Sequence, residues 1–174
     1  MTFLYILGVL VVIVVLLLFI ALFLPNGYFI EKSGIIKKPC DFVIDKVADL
    51  HNYAQWTPWQ QKEANSKSNI TGLPKRPGHK YSWKGKKIGE GSLTLRDIDD
   101  KHVHFELEFI KPWKGTARDN WLFEEWGNGE TKVTWQDFGM LPYPVGRLLG
   151  YMIHKNLNRQ FTEGLNNLKK FCEK

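Results

Sequence analysis

The sequence predicts an α+β protein: an antiparallel sheet of about seven strands closed by one long C-terminal helix, preceded by a single transmembrane helix. Three observations predict it. An uncharged apolar stretch opens the chain, period-two alternation fills the middle, and apolar residues at helical spacing run along the C-terminal end.

From Phe3 to Leu24 the chain reads FLYILGVLVVIVVLLLFIALFL, and its first charged side chain is Glu31. A stretch of about 22 residues covers a ~30 Å hydrocarbon core as a helix. This one has no polar face, so lipid is its natural solvent. A cleaved signal peptide is the competing reading. It needs a basic start, an apolar run of roughly 7–15 residues and a small-residue cleavage site. This sequence has no Lys or Arg before the stretch, the stretch is longer, and Leu24-Pro25 follows it. Residues 1–26 are therefore expected to be a retained anchor and 27–174 a folded domain. Lys32, Lys37 and Lys38 lie just after the span, which favours a cytoplasmic domain.

The remaining residues, about 145 of them, suffice for one core. All of the +6 net charge falls on them. A basic domain beside a bilayer is drawn to anionic headgroups, so the membrane is one expected partner. Nucleic acid is not, because the lysines are scattered and no reading motif is present. Seven Trp and eleven Phe point to a roomy interior or a site built from rings. Cys40 and Cys172 neither demand nor exclude an oxidising compartment.

Pro25, Asn26 and Gly27 break the first helix, and Tyr28 to Ile36 reads as the first strand, leaving almost no linker. Asp41 is placed to cap a helix reaching about Leu50, with Phe42, Val43, Val47 and Leu50 as its stripe. His51 to Gln55 reads as a second short helix, closed by Trp56-Thr57-Pro58-Trp59. Strands are then predicted at 68–73, 80–83, 88–97, 103–110, 116–124 and 131–138, separated by Gly, Pro, Asn and Asp. In HVHFELEF, Val103, Phe105, Leu107 and Phe109 share one face. Trp121 and Phe123, then Val133 and Trp135, continue it, and Asn128-Gly129 marks a hairpin between them. A helix from about Val145 to Phe171 carries Val145, Leu148, Leu149, Met152, Ile153, Leu157, Phe161, Leu165 and Leu168 on one stripe.

This order, with the segments VADLHNYAQWTPW (47–59), YSWKGKKIGEGSLTL (81–95), FELEFIKPW (105–113), GETKVTWQDFG (129–139) and FTEGLNNLKKF (161–171), resembles the START-like, or SRPBCC, superfamily. That group includes polyketide cyclase/dehydrase-like and lipid-transfer proteins. The likeness spans Tyr28 to Lys174 and is most specific at Asp49-Leu50 through Trp59; it looks like the membrane-anchored bacterial members. The resemblance implies a helix-grip fold, a curved sheet around the C-terminal helix with a hydrophobic cavity between. It also implies a single-pass bacterial inner-membrane protein. None of the matching segments is a catalytic motif.

The expected cavity residues are Trp56, Trp59, Tyr81, Trp83, Phe105, Phe109, Trp121, Trp135 and Met152. Trp56 and Trp59 read either as an end plug of the core or as the cavity mouth. Asp119 and Asp137 fall on the inner face by strict alternation, where a carboxyl is costly unless paired, hydrogen-bonded or near water. They are weak candidates for acid/base work; the alternative is a strand end where alternation has stopped. His79, His102, His104 and His154 form no coordinating pattern, so no metal is expected, and no cofactor. There is no nucleophile elbow, and Gly85 to Gly91 reads as a hairpin rather than a phosphate loop.

Three functions are consistent with these residues. The favoured expectation is a membrane-anchored module binding a hydrophobic small molecule or lipid, without enzymatic activity. A cyclase/dehydrase-like enzyme using Asp119 or Asp137 is the first alternative. A membrane-tethered domain docking a protein partner is the second.

Overall fold

The computed structural model describes residues 1–63 and 65–174. Helix α1 (Thr2–Phe23) is followed by β1 (Gly27–Ile36). Three short helices come next: α2 (Cys40–Ala48), α3 (Leu50–Trp56) and α4 (Pro58–Lys62). Six strands follow: β2 (Lys67–Thr71), β3 (Lys80–Lys84), β4 (Glu90–Ile98), β5 (His102–Lys111), β6 (Gly115–Glu125) and β7 (Thr131–Met140). Helices α5 (Val145–Leu148) and α6 (Gly150–Cys172) close the chain.

The strands form one antiparallel sheet in the order β1-β7-β6-β5-β4-β3-β2. Every neighbour in the β2-to-β7 run is sequential, as hairpins dictate, and only β1 joins from outside the run by pairing with β7. The inner face carries Leu93, Leu95, Val103, Phe105, Trp121, Phe123, Val133 and Trp135, all buried. A one-faced apolar sheet needs a cover. The second half of α6 supplies it through Phe161, Leu165 and Leu168, with α2 adding Val43 and Val47. Gly164 lets α6 lie flat on the sheet, since a Cβ there would sit 2.7 Å from the Trp135 ring.

Three local expectations need correction. Helix α2 starts at Cys40 with Pro39 before it and no side-chain cap, so Asp41 sits in the first turn instead. Asp49 is the residue that caps, accepting the His51 N–H at 2.9 Å at the start of α3. Pro58 then opens a third short helix, as proline does at a first helical position.

The long C-terminal helix is also broken, at Leu149. Burial along α6 begins only at Gln160, while Tyr151 and Met152 are 79% and 66% exposed. The apolar stripe is continuous in sequence, but the sheet covers only its second half.

Candidate functional site

A cavity of about 140 Å³ lies between the sheet, α3–α4 and α6. Its walls are rings and aliphatics: Trp59, Tyr81, Trp83, Phe109 and Phe161, with Ile88, Leu93, Leu107 and Leu157. Asp119, Asp137, Tyr28, Tyr53 and Thr57 supply the polar atoms. No Lys or Arg lines it among the described residues. The two carboxyls therefore face an apolar space without a counter-cation.

The hairpin between β6 and β7 sets the pair. Asp119 is directly opposite Asp137, and Trp121 opposite Trp135, on the buried face. Asp119 is held by both tryptophans. The Trp121 indole N–H donates to Oδ1 at 2.6 Å and the Trp135 indole N–H to Oδ2 at 2.7 Å. The two indoles stack with centroids 4.3 Å apart. Asp137 is differently placed: its Oδ2 is buried and has no hydrogen-bond partner.

Tyr28 reaches Asp137 from β1. Gly139, its register partner, makes the space, because a Cβ there would be 2.9 Å from the Tyr28 ring and hydroxyl. Burial pushes the Asp137 carboxyl up to about 7, and the Tyr28 hydroxyl pulls it partly back. Burial also drives Asp119 well above the carboxylate range; the neighbouring Asp137 charge adds to this and the two indole donors oppose it. The pair titrates as a unit and retains a proton toward neutral pH. Burial, with the Asp137 charge second, raises the Tyr28 phenol as well, so it stays a donor.

Of the expected lining residues, Trp59, Tyr81, Trp83 and Phe109 reach the cavity wall with Asp119 and Asp137. The others are not among its lining residues. Trp56 is buried under α2, donating its indole N–H to the Lys46 carbonyl at 3.0 Å. Phe105, Trp121 and Trp135 are fully buried in the core cluster. Met152 points to the surface, because the helix carrying it is uncovered there. Sequence reasoning passed over Tyr28 and Tyr53. Tyr28 could have been found by carrying the inner-face alternation onto β1; Tyr53, on a short helix, has no comparable signal.

A second cluster joins Asp49, His51 and His79, whose ligating atoms lie within 4.8 Å of one another. His79 is buried, and both ring nitrogens are engaged. Nε2 accepts the Leu50 N–H at 3.0 Å and Nδ1 lies 3.1 Å from the Thr71 carbonyl, which it reaches as the donor. Asp49 is likewise committed to His51. A cation at this cluster would have to displace these bonds, so it reads as the joint that fastens α3 to the sheet.

No family model matches the chain, and no curated protein matches it. Solved structures do. The Zhui aromatase/cyclase from Streptomyces sp. R1128 is 16% identical, with 85% of this chain and 94% of that one covered and a TM-score of 0.64. Protein CV1439 from Chromobacterium violaceum is 12% identical, covering 84% of this chain and 97% of that one with a TM-score of 0.62. CalU16 from Micromonospora echinospora is 12% identical, covering 84% and 76% with a TM-score of 0.57. At these identities the likeness shows the fold alone, a curved antiparallel sheet around a long C-terminal helix. The expectation against enzymatic activity is corrected. One structure of like fold is an aromatase/cyclase, and Asp119 and Asp137 line the cavity of this chain, so it holds groups that can carry acid–base chemistry.

Proposed function

We propose that the protein is a membrane-anchored acid–base catalyst of the cyclase/dehydrase kind, acting on a small apolar molecule in the cavity. Residues 1–26 are the anchor in this reading and 27–174 the catalytic domain. The observation that carries it is the buried Asp119–Asp137 pair at the wall of a ring-lined cavity, with one carboxylate oxygen unpartnered.

The chemistry follows from the environment. A general acid or base works best with a pKa near the operating pH, and burial brings Asp137 to about 7. Ionised, the Asp137 carboxylate accepts a proton from a carbon next to a carbonyl; protonated, it returns that proton to a departing hydroxyl, which leaves as water. The Tyr28 hydroxyl, a donor at the same wall, is assigned to steady the developing negative oxygen. The ring-lined walls keep bulk water from competing. Size limits the substrate. A dry cavity of on the order of 150 Å³ accepts a benzene, so about 140 Å³ suits one ring rather than a two-chain lipid.

The test uses full-length protein in nanodiscs, incubated with a small-molecule extract of the source cells and followed by mass spectrometry. The wild type is expected to deplete a compound and accumulate its dehydrated or cyclised form; Asp137→Asn is expected to bind the same compound unchanged. The mainly apolar wall also supports a binding module as the second reading. That reading takes precedence if wild type and Asp137→Asn both return their ligand unaltered.

A further inference from the structure

Helix α1 does more than end near the domain: the domain grips its last turns. The Tyr143 hydroxyl donates to the Leu18 carbonyl at 3.1 Å, and Arg147 Nη1 donates to the Ala21 carbonyl at 3.4 Å. Ala21 is fully buried by this contact. The Leu141 N–H also donates to the Asn26 carbonyl at 2.8 Å, closing the junction. Leu18 lies six residues before Leu24, about 9 Å along a helix rising ~1.5 Å per residue. If α1 spans a bilayer, the chain around Tyr143 and Arg147 therefore sits at the depth of its final turns, inside the interfacial layer.

The side chains there suit that layer. Tyr143, Val145, Tyr151 and Met152 are exposed, Arg147 lies among them and Lys155 follows three residues later. Apolar and aromatic side chains flanked by basic ones mark helices that lie in the interface plane. The sheet register puts two hairpins at the same end. Gly27 pairs with Met140, Ala117 with Gly139, and Glu90 with Lys111, so the β5–β6 and β3–β4 turns lie on the α1 side. Those turns carry exposed Trp113, Lys114, Lys86 and Lys87. Ile88 and Phe109, which line the cavity, flank the same turns.

We infer that the segment Leu141–Met152, together with the Trp113 hairpin, docks into the headgroup layer of the bilayer that α1 spans, so that the cavity loads from the membrane. The occupant of this uncovered apolar face is the lipid surface itself. Its basic residues match anionic headgroups at about 1 kcal/mol per well-placed charge. The inference rests on α1 being a membrane span, and does not depend on whether the cavity catalyses a reaction.

The experiment attaches an environment-sensitive fluorophore to the full chain in a Cys40→Ser background, at Met152→Cys or, as a control, at Leu73→Cys. Leu73 is exposed in the β2–β3 connection at the opposite end of the sheet. Each protein is reconstituted into nanodiscs of phosphatidylcholine with or without phosphatidylglycerol, the lipid carrying a nitroxide near the headgroup. Position 152 is expected to show blue-shifted emission and several-fold stronger quenching than position 73, more so with phosphatidylglycerol. Equal, water-like signals from both positions in protein that has entered the discs overturn the docking alone. Failure of the chain to enter nanodiscs overturns the span and the docking together.

Discussion

Replacing Asp137 by asparagine separates the titration of the carboxyl pair from its packing. The Asp137 carboxyl moves from an ordinary 3.8 to about 7 on folding, chiefly through burial. Between those values the native chain holds a proton that the unfolded chain has lost, so stability falls as pH rises. The contribution is complete below the unfolded value and gone once pH has passed the folded one. At 1.36 kcal/mol per unit, a shift of roughly three units amounts to about 4 kcal/mol across the window. Asp119, raised by the same burial, adds a slope of the same sign. Asparagine keeps the shape and cannot ionise, so it removes the Asp137 slope and, with the charge that helps raise Asp119 gone, weakens the other. Near pH 4 the variant should match the wild type, and its relative stability should then grow by up to about 1.4 kcal/mol per pH unit. Urea unfolding of the full chain in mild detergent, followed by tryptophan fluorescence from about pH 4 to about pH 8, measures this. Parallel stability curves for the two proteins would refute the argument, because they mean Asp137 titrates alike in both states.

Asp119→Leu leaves two buried indole N–H groups without acceptors, at about 1–3 kcal/mol each. It should destabilise more than Asp119→Asn, whose carbonyl retains one acceptor. Gly139→Ala drives a methyl group into the Tyr28 ring. It should cost about 1–3 kcal/mol by overpacking and, by moving the hydroxyl away, raise the Asp137 titration further in carboxyl-resolved NMR.

The period-two pattern made most of the sheet legible. HVHFELEF assigns a face to each residue of β5, and the observed burial follows it through Val103 and Phe105 before fading toward Phe109 at the β5–β6 turn. The carboxyl pair was nearly legible too. Asp119 and Asp137 are equidistant from Asn128, the hairpin residue that adopts a φ of 51°, so an even hairpin must set them opposite one another. Depth was harder to read. Alternation says that Phe105, Trp121 and Trp135 point inward, yet which inward residues border the cavity depends on how α3, α4 and α6 pack on the sheet, which no local pattern encodes. Met152 failed for a related reason. Helical spacing identifies an apolar stripe without saying what covers it, and the sheet covers only the part beyond Gln160.

The two carboxyls also differ in what explains their presence. Asp119 has a structural reason to be there: two indole donors meet its two oxygens and fix the stacked pair at the centre of the core. A buried acceptor so fully used can repay its desolvation. Asp137 has no such return. One of its oxygens lacks any partner, and the Tyr28 hydroxyl offsets burial only in part. An apolar side chain of similar volume would pack against the same cavity with no penalty of that kind. On stability alone, then, Asp119 is accounted for and Asp137 is not. The residue that the fold does not need is also one that lines the cavity, which is why the proposed chemistry is assigned to Asp137, with Asp119 positioning the rings behind it.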